Sequence, residues 1–322
     1  MHKFVWVLVA LMLASSAAGA SDEACSKIKG FIVGLHEVDD FYVLPVGISG
    51  TPHQFVLELN AAYTKMDEAV ANDLHLVTHD VQQGVQVRDN EGAFEKTAIV
   101  PTLQLGPIPK KDAGVLIAPH RRWWGAASGA AGINLFYGLD IELDLAHNRL
   151  GLYLPREDCE FVPPWPNVEY GNADLKIAPT GGFYLPMYLD DQKLIVTLDT
   201  TSRNSVMPFS SAHNLFGVEE NDPRLIPAGF NEGGKAVYRF SFKTLSGGHN
   251  VTVRAPEIFI VADERTCGGV RDQRNWDQPW SSKCFGSGDL RLGTNLLKKL
   301  HFFFEIKKKK ATFTLVEVPP NP

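Results

Sequence analysis

The sequence repeats itself at long range, and this duplication limits the possible folds more than any other feature. In a first pair of segments, Glu58 aligns with Asp199 at a spacing of 141 residues. In a second pair, Gly132-Ile133-Asn134-Leu135 aligns with Gly293-Thr294-Asn295-Leu296 at a spacing of 161 residues. The sequence therefore predicts two copies of one structural unit, and the second copy carries additional residues between its two matching segments.

Each predicted unit is rich in strands. Runs of β-branched and aromatic residues bounded by Gly, Pro, Asn or Asp are typical of β-strands, whereas the helical patterns in this sequence are short. The predicted strands are 31–46, 54–59, 141–154, 194–198, 238–242, 251–253, 258–262 and 302–316, and the predicted helices are 67–76, 210–215 and 296–300. The predicted fold class is all-β.

Composition excludes several classes of protein. The 322 residues are 44% hydrophobic and 21% charged, which is typical of a globular protein and excludes a disordered, collagen-like or coiled-coil chain. The formal net charge is −6. A chain with this acidic balance is not expected to bind nucleic acid, because such binding depends on neutralising phosphates with Lys and Arg.

A proline-rich segment divides the two predicted units. Phe161-Val162-Pro163-Pro164-Trp165-Pro166 can continue neither a helix nor a central strand. We therefore expect an N-terminal lobe at 21–160, a linker at 161–171 and a C-terminal lobe at 172–322.

Residues 1–20 have the pattern of a cleaved signal peptide. Lys3 precedes an apolar run over 4–13, and small residues ending in Ala18-Gly19-Ala20 follow it. The apolar run is too short to span a bilayer, which takes about 20 apolar residues. The sequence therefore predicts a protein that is secreted or periplasmic and has no membrane span.

The four cysteines follow this predicted cleavage point. An even number of cysteines in an oxidising compartment favours disulfides, and four allow three pairings. Their order along the chain suggests Cys25–Cys159 and Cys267–Cys284. Because their spacing does not match that of metal ligands, no metal site is predicted.

Two kinds of segment resemble the aspartic peptidase family, both its retropepsin-like and its pepsin-like members. In that family, each lobe has an apolar strand ending in Asp-Thr/Ser-Gly and a later strand ending in Gly before a short helix. Leu198-Asp199-Thr200-Thr201-Ser202 with 290–297 is similar to these elements in one lobe. Leu57-Glu58-Leu59-Asn60-Ala61 with 132–136 is similar to them in the other. The resemblance covers roughly 30–157 and 172–317.

The resemblance implies two pseudo-symmetric β-barrel lobes around a cleft floored by Glu58 and Asp199. In the family, two adjacent carboxyl groups share one proton, and the ionised one activates the attacking water. The conserved hydroxyl of this turn bonds across to the opposite lobe, which assigns that role to Thr200. The resemblance thus implies Asp199, Glu58 and Thr200 as catalytic residues, with no metal or organic cofactor.

Departures from the family motif surround these residues. Glu58 replaces Asp with a side chain one methylene longer, and Leu59 removes the hydroxyl of its turn. Asn60 and Thr201 stand where the family has glycine. A displacement of about 1 Å at a reacting group can cost about a hundredfold in rate. These departures favour a protein that is catalytically impaired.

We therefore expect a pseudopeptidase that binds a peptide or protein in the cleft between its lobes. One alternative is an active aspartic endopeptidase with a Glu/Asp dyad, and another is an enzyme inhibitor or carbohydrate-binding protein on the same fold. An active peptidase would close a hairpin over the cleft, and 85–100 and 238–253 are the candidates. Because the duplication supplies both lobes in one chain, a monomer is expected.

Overall fold

The computed structural model describes residues 29–81, 87–89, 92–155, 165, 168–178, 181–231, 234–248, 251–262 and 288–316. The strands of the N-terminal half are β1 Gly30–Gly34, β2 His36–Val38, β3 Phe41–Ile48, β4 Thr51–Leu57, β5 Lys65–Asp67, β6 Thr78–Asp80, β7 Val87–Asp89, β8 Gly92–Phe94, β9 Lys96–Leu105, β10 Ile108–Ala118, β11 Gly129–Ala131, β12 Asp140–Asp144 and β13 Arg149–Tyr153. Its helices are α1 Glu68–Asp73 and the 3₁₀ turns η1 Arg122–Trp124 and η2 Ile133–Phe136.

The C-terminal half has the same character. Its strands are β14 Gly171–Asp174, β15 Lys176–Ile177, β16 Phe183–Leu189, β17 Gln192–Leu198, β18 Ser205–Pro208, β19 Ile226–Phe230, β20 Ala236–Ser241, β21 Thr244–Ser246, β22 Thr252–Arg254, β23 Glu257–Val261, β24 Leu290–Leu292, β25 Leu300–Glu305 and β26 Lys310–Leu315. Its helices are α2 Phe209–Phe216 and α3 Thr294–Leu297. The all-β prediction is confirmed.

The two halves build the same strand arrangement, so the predicted duplication is also confirmed. In the N-terminal half, β11 runs parallel to β4 and antiparallel to β5, with Ala131 opposite Leu57. In the C-terminal half, β24 runs parallel to β17 and antiparallel to β18, with Leu292 opposite Leu198. Both pairs of opposed residues keep the 141- and 161-residue spacings of the sequence repeat.

A repeated asparagine explains why the second repeated segment reads Gly-x-Asn. Asn134 Oδ1 accepts hydrogen bonds from the amide and the hydroxyl of Thr64 at 2.7 and 2.8 Å. Asn295 Oδ1 accepts the equivalent pair from Ser205 at 2.9 and 2.7 Å. The same two hydroxyl oxygens accept from the amides of Gly132 and Gly293. Each lobe thereby fixes two of its buried segments against each other.

A six-stranded sheet joins the two halves, in the order β1-β13-β12-β25-β26-β14. The join is the antiparallel pair β12–β25, in which Ile141 lies opposite Phe304. Both side chains are fully buried, and they belong to one hydrophobic core that extends through both halves. Burial of this continuous apolar surface is the main force holding the lobes together.

One of the two candidate hairpins forms, and the other forms only in part. β7 and β8 pair antiparallel, with Asp89 opposite Gly92, as expected for a hairpin within 85–100. The hairpin expected over 238–253 forms only in its second part, where Ser246 lies opposite Thr252. Residue Tyr238 pairs with Pro227 and Ile260 instead. The chain then bends, because the amides of Lys243 and Thr244 both donate to Asp190 Oδ1. After this bend, β21 pairs with β22.

Several predictions lie outside the described residues. These are the signal peptide, all four cysteines and most of the 161–171 linker, from which Trp165 and residues 168–171 are described. The described part of the chain contains no helix with the length and apolar character needed to cross a membrane.

Candidate functional site

The two predicted carboxylates occupy equivalent places at the ends of equivalent strands. Glu58 follows β4 and donates its amide to Ala131 O at 3.0 Å, and Asp199 follows β17 and donates its amide to Leu292 O at 2.9 Å. Both residues are buried, with 6% and 3% of their surface exposed. Each carboxylate is therefore fixed by the strand pairing of its own lobe.

The hydroxyl of Thr200 joins the two carboxylate-bearing turns. It donates to Leu57 O at 2.6 Å and accepts from the amide of Leu59 at 3.1 Å. These two groups flank Glu58 in the sequence, so Glu58 and Asp199 lie beside the same contact between the lobes. Leu59, at the position equivalent to Thr200, has no hydroxyl with which to make the reciprocal pair of bonds.

The residues that replace glycine in these turns fit without a left-handed backbone. Neither Asn60 nor Thr201 has a positive φ angle. Thr201 also contributes to the site, since its amide and its hydroxyl donate to Asp199 Oδ1 at 2.9 and 2.7 Å. The β-branched side chain thus orients the aspartate.

A buried lysine pairs with Glu58. Lys65, at the start of β5, places its Nζ 2.9 Å from Glu58 Oε1, and 1% of its side chain is exposed. The same ammonium lies 5.8 Å from the centroid of the Phe94 ring, at the end of the β7–β8 hairpin. The hairpin therefore packs against the ion pair and helps to shield it from water.

An arginine pairs with Asp199. Arg291, in the middle of β24, places Nε 3.3 Å from Asp199 Oδ2. Its side chain is 45% exposed, whereas that of Asp199 is 4% exposed. The guanidinium group therefore lies between the buried carboxylate and solvent.

Comparison with known proteins gives a fold and no sequence relative. No family model and no curated protein matches the sequence. In structure, the chain is similar to the aspartic proteinase from Irpex lacteus, with a TM-score of 0.55, 11% identity and coverage of 90% of this chain and 98% of that one. The chain has the two-lobed fold of the pepsin-like aspartic peptidases.

Two plant proteins also superpose on the chain with somewhat lower scores. Basic 7S globulin from soybean gives a TM-score of 0.49 at 10% identity and covers 89% of this chain and 95% of its own. Conglutin gamma, a basic 7S globulin from lupine seeds, gives 0.48 at 12% identity, with 89% and 95% covered.

Within this pepsin-like fold, each of the two carboxylates lies beside its own cation. A catalytic dyad needs one ionised and one protonated carboxyl group close enough to share the proton. An adjacent cation favours the charged form of a carboxyl group. Because Glu58 and Asp199 each have their own cation, the site is arranged as two ion pairs.

A second cluster of titratable groups lies in the sheet that joins the lobes. Glu142 Oε1 contacts His301 Nε2 at 2.8 Å and accepts from the Trp165 indole at 3.0 Å, and Tyr153 donates to Oε2. Burial alone would raise the pKa of Glu142, but these hydrogen bonds outweigh it and lower the pKa to about 2. Burial raises the pKa of neighbouring Asp140 to about 6. The lobe junction therefore holds two carboxyl groups with opposite shifts.

The two cations are not predicted by the sequence motifs. Lys65 stands between Thr64 and Met66, and Arg291 stands between Leu290 and Leu292. Neither pattern distinguishes these residues from charged residues on the exposed face of a strand, so the sequence carries no signal for the two ion pairs. Within the residues that the structure describes, no group of three or more His, Cys, Asp or Glu side chains is arranged to hold a metal ion.

Proposed function

We propose that this chain is a catalytically inert protein with a pepsin-like fold that holds an extended peptide or protein segment between its lobes. The observation that carries the proposal is the separate pairing of the two carboxylates, Glu58 with Lys65 and Asp199 with Arg291. Each carboxylate has a cation beside it, whereas aspartic peptidase chemistry depends on a proton shared between two carboxyl groups.

Peptide hydrolysis by an aspartic peptidase needs both water activation and proton donation. The water must be activated by an ionised carboxylate, while a protonated carboxyl group donates to the scissile carbonyl oxygen. Lys65 and Arg291 each place a positive charge beside one of the two carboxyl groups, whereas the peptidase reaction depends on a proton that two adjacent carboxyl groups share. The missing hydroxyl at Leu59 and the longer Glu58 side chain point in the same direction.

Support for peptide binding comes from the fold. A cleft between β-rich lobes can hold an extended chain through main-chain hydrogen bonds while pockets select its side chains. The β7–β8 hairpin is retained, with Phe94 packed against the ammonium of Lys65. A hairpin that packs beside Lys65 in this way supports the proposal that a peptide is enclosed next to the two carboxylates.

One pair of assays tests the proposal. The purified protein is incubated with a mixture of unfolded peptides from about pH 3 to 7, where a carboxylate dyad titrates, and the products are identified by mass spectrometry. The same mixture is then passed over the immobilised protein. We expect retained peptides without cleavage. Fragments that disappear in an Asp199→Ala variant would instead establish the alternative of an active endopeptidase.

We also propose that the protein is exported after removal of residues 1–20. The charged, apolar and small-residue segments of that region support this. N-terminal sequencing of the protein secreted by its natural host should give Ser21 as the first residue. Recovery of the chain with residues 1–20 attached would contradict export by this route.

A further inference from the structure

The two lobes differ at the strand positions that flank the carboxylates. In the N-terminal half these positions hold Val56 and Ala130, which are buried in an apolar cluster with Trp124. The repeat spacings place Thr197 and Arg291 at the equivalent positions of the C-terminal half. One side of the site is therefore apolar and filled by the protein itself, and the other side carries a hydroxyl and a guanidinium group.

The guanidinium group of Arg291 is oriented by a contact that uses one of its nitrogens. The closest contact of the ion pair is from Nε to Asp199 Oδ2, and no nitrogen of this guanidinium donates a hydrogen bond to another of the described residues. Arginine presents five N–H donors in a planar fork. Anchoring through Nε leaves the Nη1–Nη2 edge of the fork for a further acceptor.

Asp199 compensates the charge of Arg291 incompletely. Its Oδ1 already accepts two hydrogen bonds from Thr201, and the remaining contact to Nε is long, at 3.3 Å. The arginine side chain is 45% exposed, so its outer edge is accessible to a ligand. A second carboxylate could therefore bind that edge without displacing Asp199.

A buried hydroxyl occupies the strand position opposite Arg291. Thr197 lies directly opposite Arg291 in the parallel pairing of β17 and β24, so the two side chains leave the sheet on the same face. Thr197 is 4% exposed, and its Oγ1 has no hydrogen-bond partner among the described residues. An unsatisfied buried hydroxyl costs about 1–3 kcal/mol, which a ligand oxygen could recover.

We propose that Arg291 and Thr197 form a carboxylate-binding subsite in the cleft, with Asp199 as the residue that positions the guanidinium. The ligand group is an Asp or Glu side chain or the free C-terminus of a bound peptide. Arginine matches this geometry with two parallel N–H···O bonds. This inference rests on the proposed function and specifies which peptides the cleft selects.

The test compares matched peptides in solution. Peptides retained by the immobilised protein are synthesised in three forms. The side-chain carboxylate form has Glu at each acidic position and an amidated C-terminus, and the neutral form has Gln at those positions and an amidated C-terminus. The C-terminal carboxylate form has Gln at those positions and a free C-terminus. Affinities are measured by titration calorimetry. We expect one of the two carboxylate forms to bind about ten- to a hundredfold more tightly than the neutral form, as for hydrogen bonds to charged groups.

Variants show whether the preference comes from this subsite. Arg291→Met removes the guanidinium group. The double variant Arg291→Met/Asp199→Asn removes both charges of the ion pair, so that no unpaired carboxylate stays buried. Both should bind the carboxylate and neutral peptides equally. Arg239→Met is the matched control, because Arg239 on β20 forms an exposed ion pair with Glu257 on β23. It should keep the full preference.

The outcomes separate this inference from the proposed function. Equal affinity of the wild-type protein for all three peptide forms would overturn the subsite and leave peptide binding intact. A preference that persists in both Arg291 variants would also overturn it. If no peptide in the mixture is retained, both the subsite and the proposed peptide-binding function are wrong.

Discussion

The hydroxyl of Thr200 and the carbonyl oxygen of Leu57 form a 2.6 Å hydrogen bond between the two lobes, and both residues are fully buried. The same hydroxyl accepts from the amide of Leu59 at 3.1 Å. One threonine therefore satisfies a buried acceptor and a buried donor of the opposite turn. Because Leu59 has no hydroxyl, the link between the turns that carry Glu58 and Asp199 depends on the Thr200 hydroxyl alone among these two positions.

The first prediction follows from that one-sided link. Thr200→Val keeps the shape of the side chain but leaves Leu57 O and Leu59 N without their partner, and each unsatisfied buried group costs about 1–3 kcal/mol. We expect the free energy of unfolding to fall by at least the cost of one such group, measured by urea denaturation. Thr200→Ser retains the hydroxyl and should lose less. Equal losses for the two variants would show that the hydroxyl is not what stabilises the turn.

A second prediction concerns the buried pair of Glu58 and Lys65. Lys65→Met leaves a buried carboxylate without its nearest cation, and breaking a buried pair costs about 3–5 kcal/mol. Replacing both members, as Lys65→Met/Glu58→Gln, should cost clearly less, because no uncompensated charge remains. Thermal unfolding of the two variants in parallel gives the comparison. If the double variant is no more stable than the single one, the ion pair is not the source of the loss.

The third prediction uses the repeated glycines. A Cβ on Gly132 would lie 2.4 Å from the carbonyl carbon of Tyr63, and one on Gly293 would lie 2.4 Å from Asn204 O. Gly132→Ala and Gly293→Ala should each cost about 1–3 kcal/mol or more, as overpacking does. Gly114→Ala is the control, since a Cβ there meets nothing within 4 Å. A loss in the control as large as in the other two would exclude close packing as the reason.

The lobe junction gives a fourth prediction, on pH. The pKa of Asp140 is raised by burial, so its protonated form is favoured in the folded state, and stability should rise as the pH falls from about 6 towards the ordinary value of 3.8. The pKa of Glu142 is lowered by its hydrogen bonds, so its contribution should be lost as the pH falls from 4.5 to about 2. Because the two effects have opposite signs, the summed contribution of Asp140 and Glu142 to the free energy of unfolding should be largest near pH 4–5.

Two variants separate the contributions in urea denaturation at a series of pH values. Asp140→Asn should remove the rise between pH 6 and 4, and Glu142→Gln should remove the fall below pH 4. A slope that is unchanged in either variant would show that the corresponding carboxyl group does not titrate as its surroundings require.

The fifth prediction is the disulfide Cys25–Cys159. β1 and β13 bring Lys29 and Leu154 together, since the amide of Leu154 donates to Lys29 O at 2.9 Å. Each cysteine is a few residues beyond this pairing in the sequence, a distance that a short extended chain can cover. Proteolytic mapping of the unreduced protein should yield one linked peptide containing both. Linkage of Cys25 to Cys267 or Cys284 would contradict it.

The fold could be predicted from the sequence because its signals are local and repeated. Strand patterning located somewhat fewer than half of the described strands, and the matching of Gly132 with Gly293 fixed the equivalence of the halves. The first part of the hairpin over 238–253 was predicted wrongly, because the bend at Lys243 and Thr244 depends on Asp190, a side chain distant in sequence that accepts from both amides. Such a contact leaves no trace in the spacing of residues along the strand itself.

The site could be predicted only in part, for a similar reason. Glu58, Asp199 and Thr200 follow from their place in a motif, which is a property of neighbouring residues. Their pairing with Lys65 and Arg291 is a property of tertiary structure. The distance of Arg291 from Asp199 in the sequence gives no indication that their side chains meet. The chemical character of the site was therefore set by residues outside the motif.

The two cations stand at positions that are not equivalent under the duplication, since Lys65 corresponds to Val206 and Arg291 to Ala130. In an assembly of two identical chains, every substitution occurs in both chains. Each carboxylate would then have a lysine and an arginine beside it. Like charges that close to each other repel. A site in which one carboxylate meets a buried ammonium and the other a half-exposed guanidinium therefore requires two halves that mutate independently, and covalent fusion of the lobes into one gene product provides that freedom.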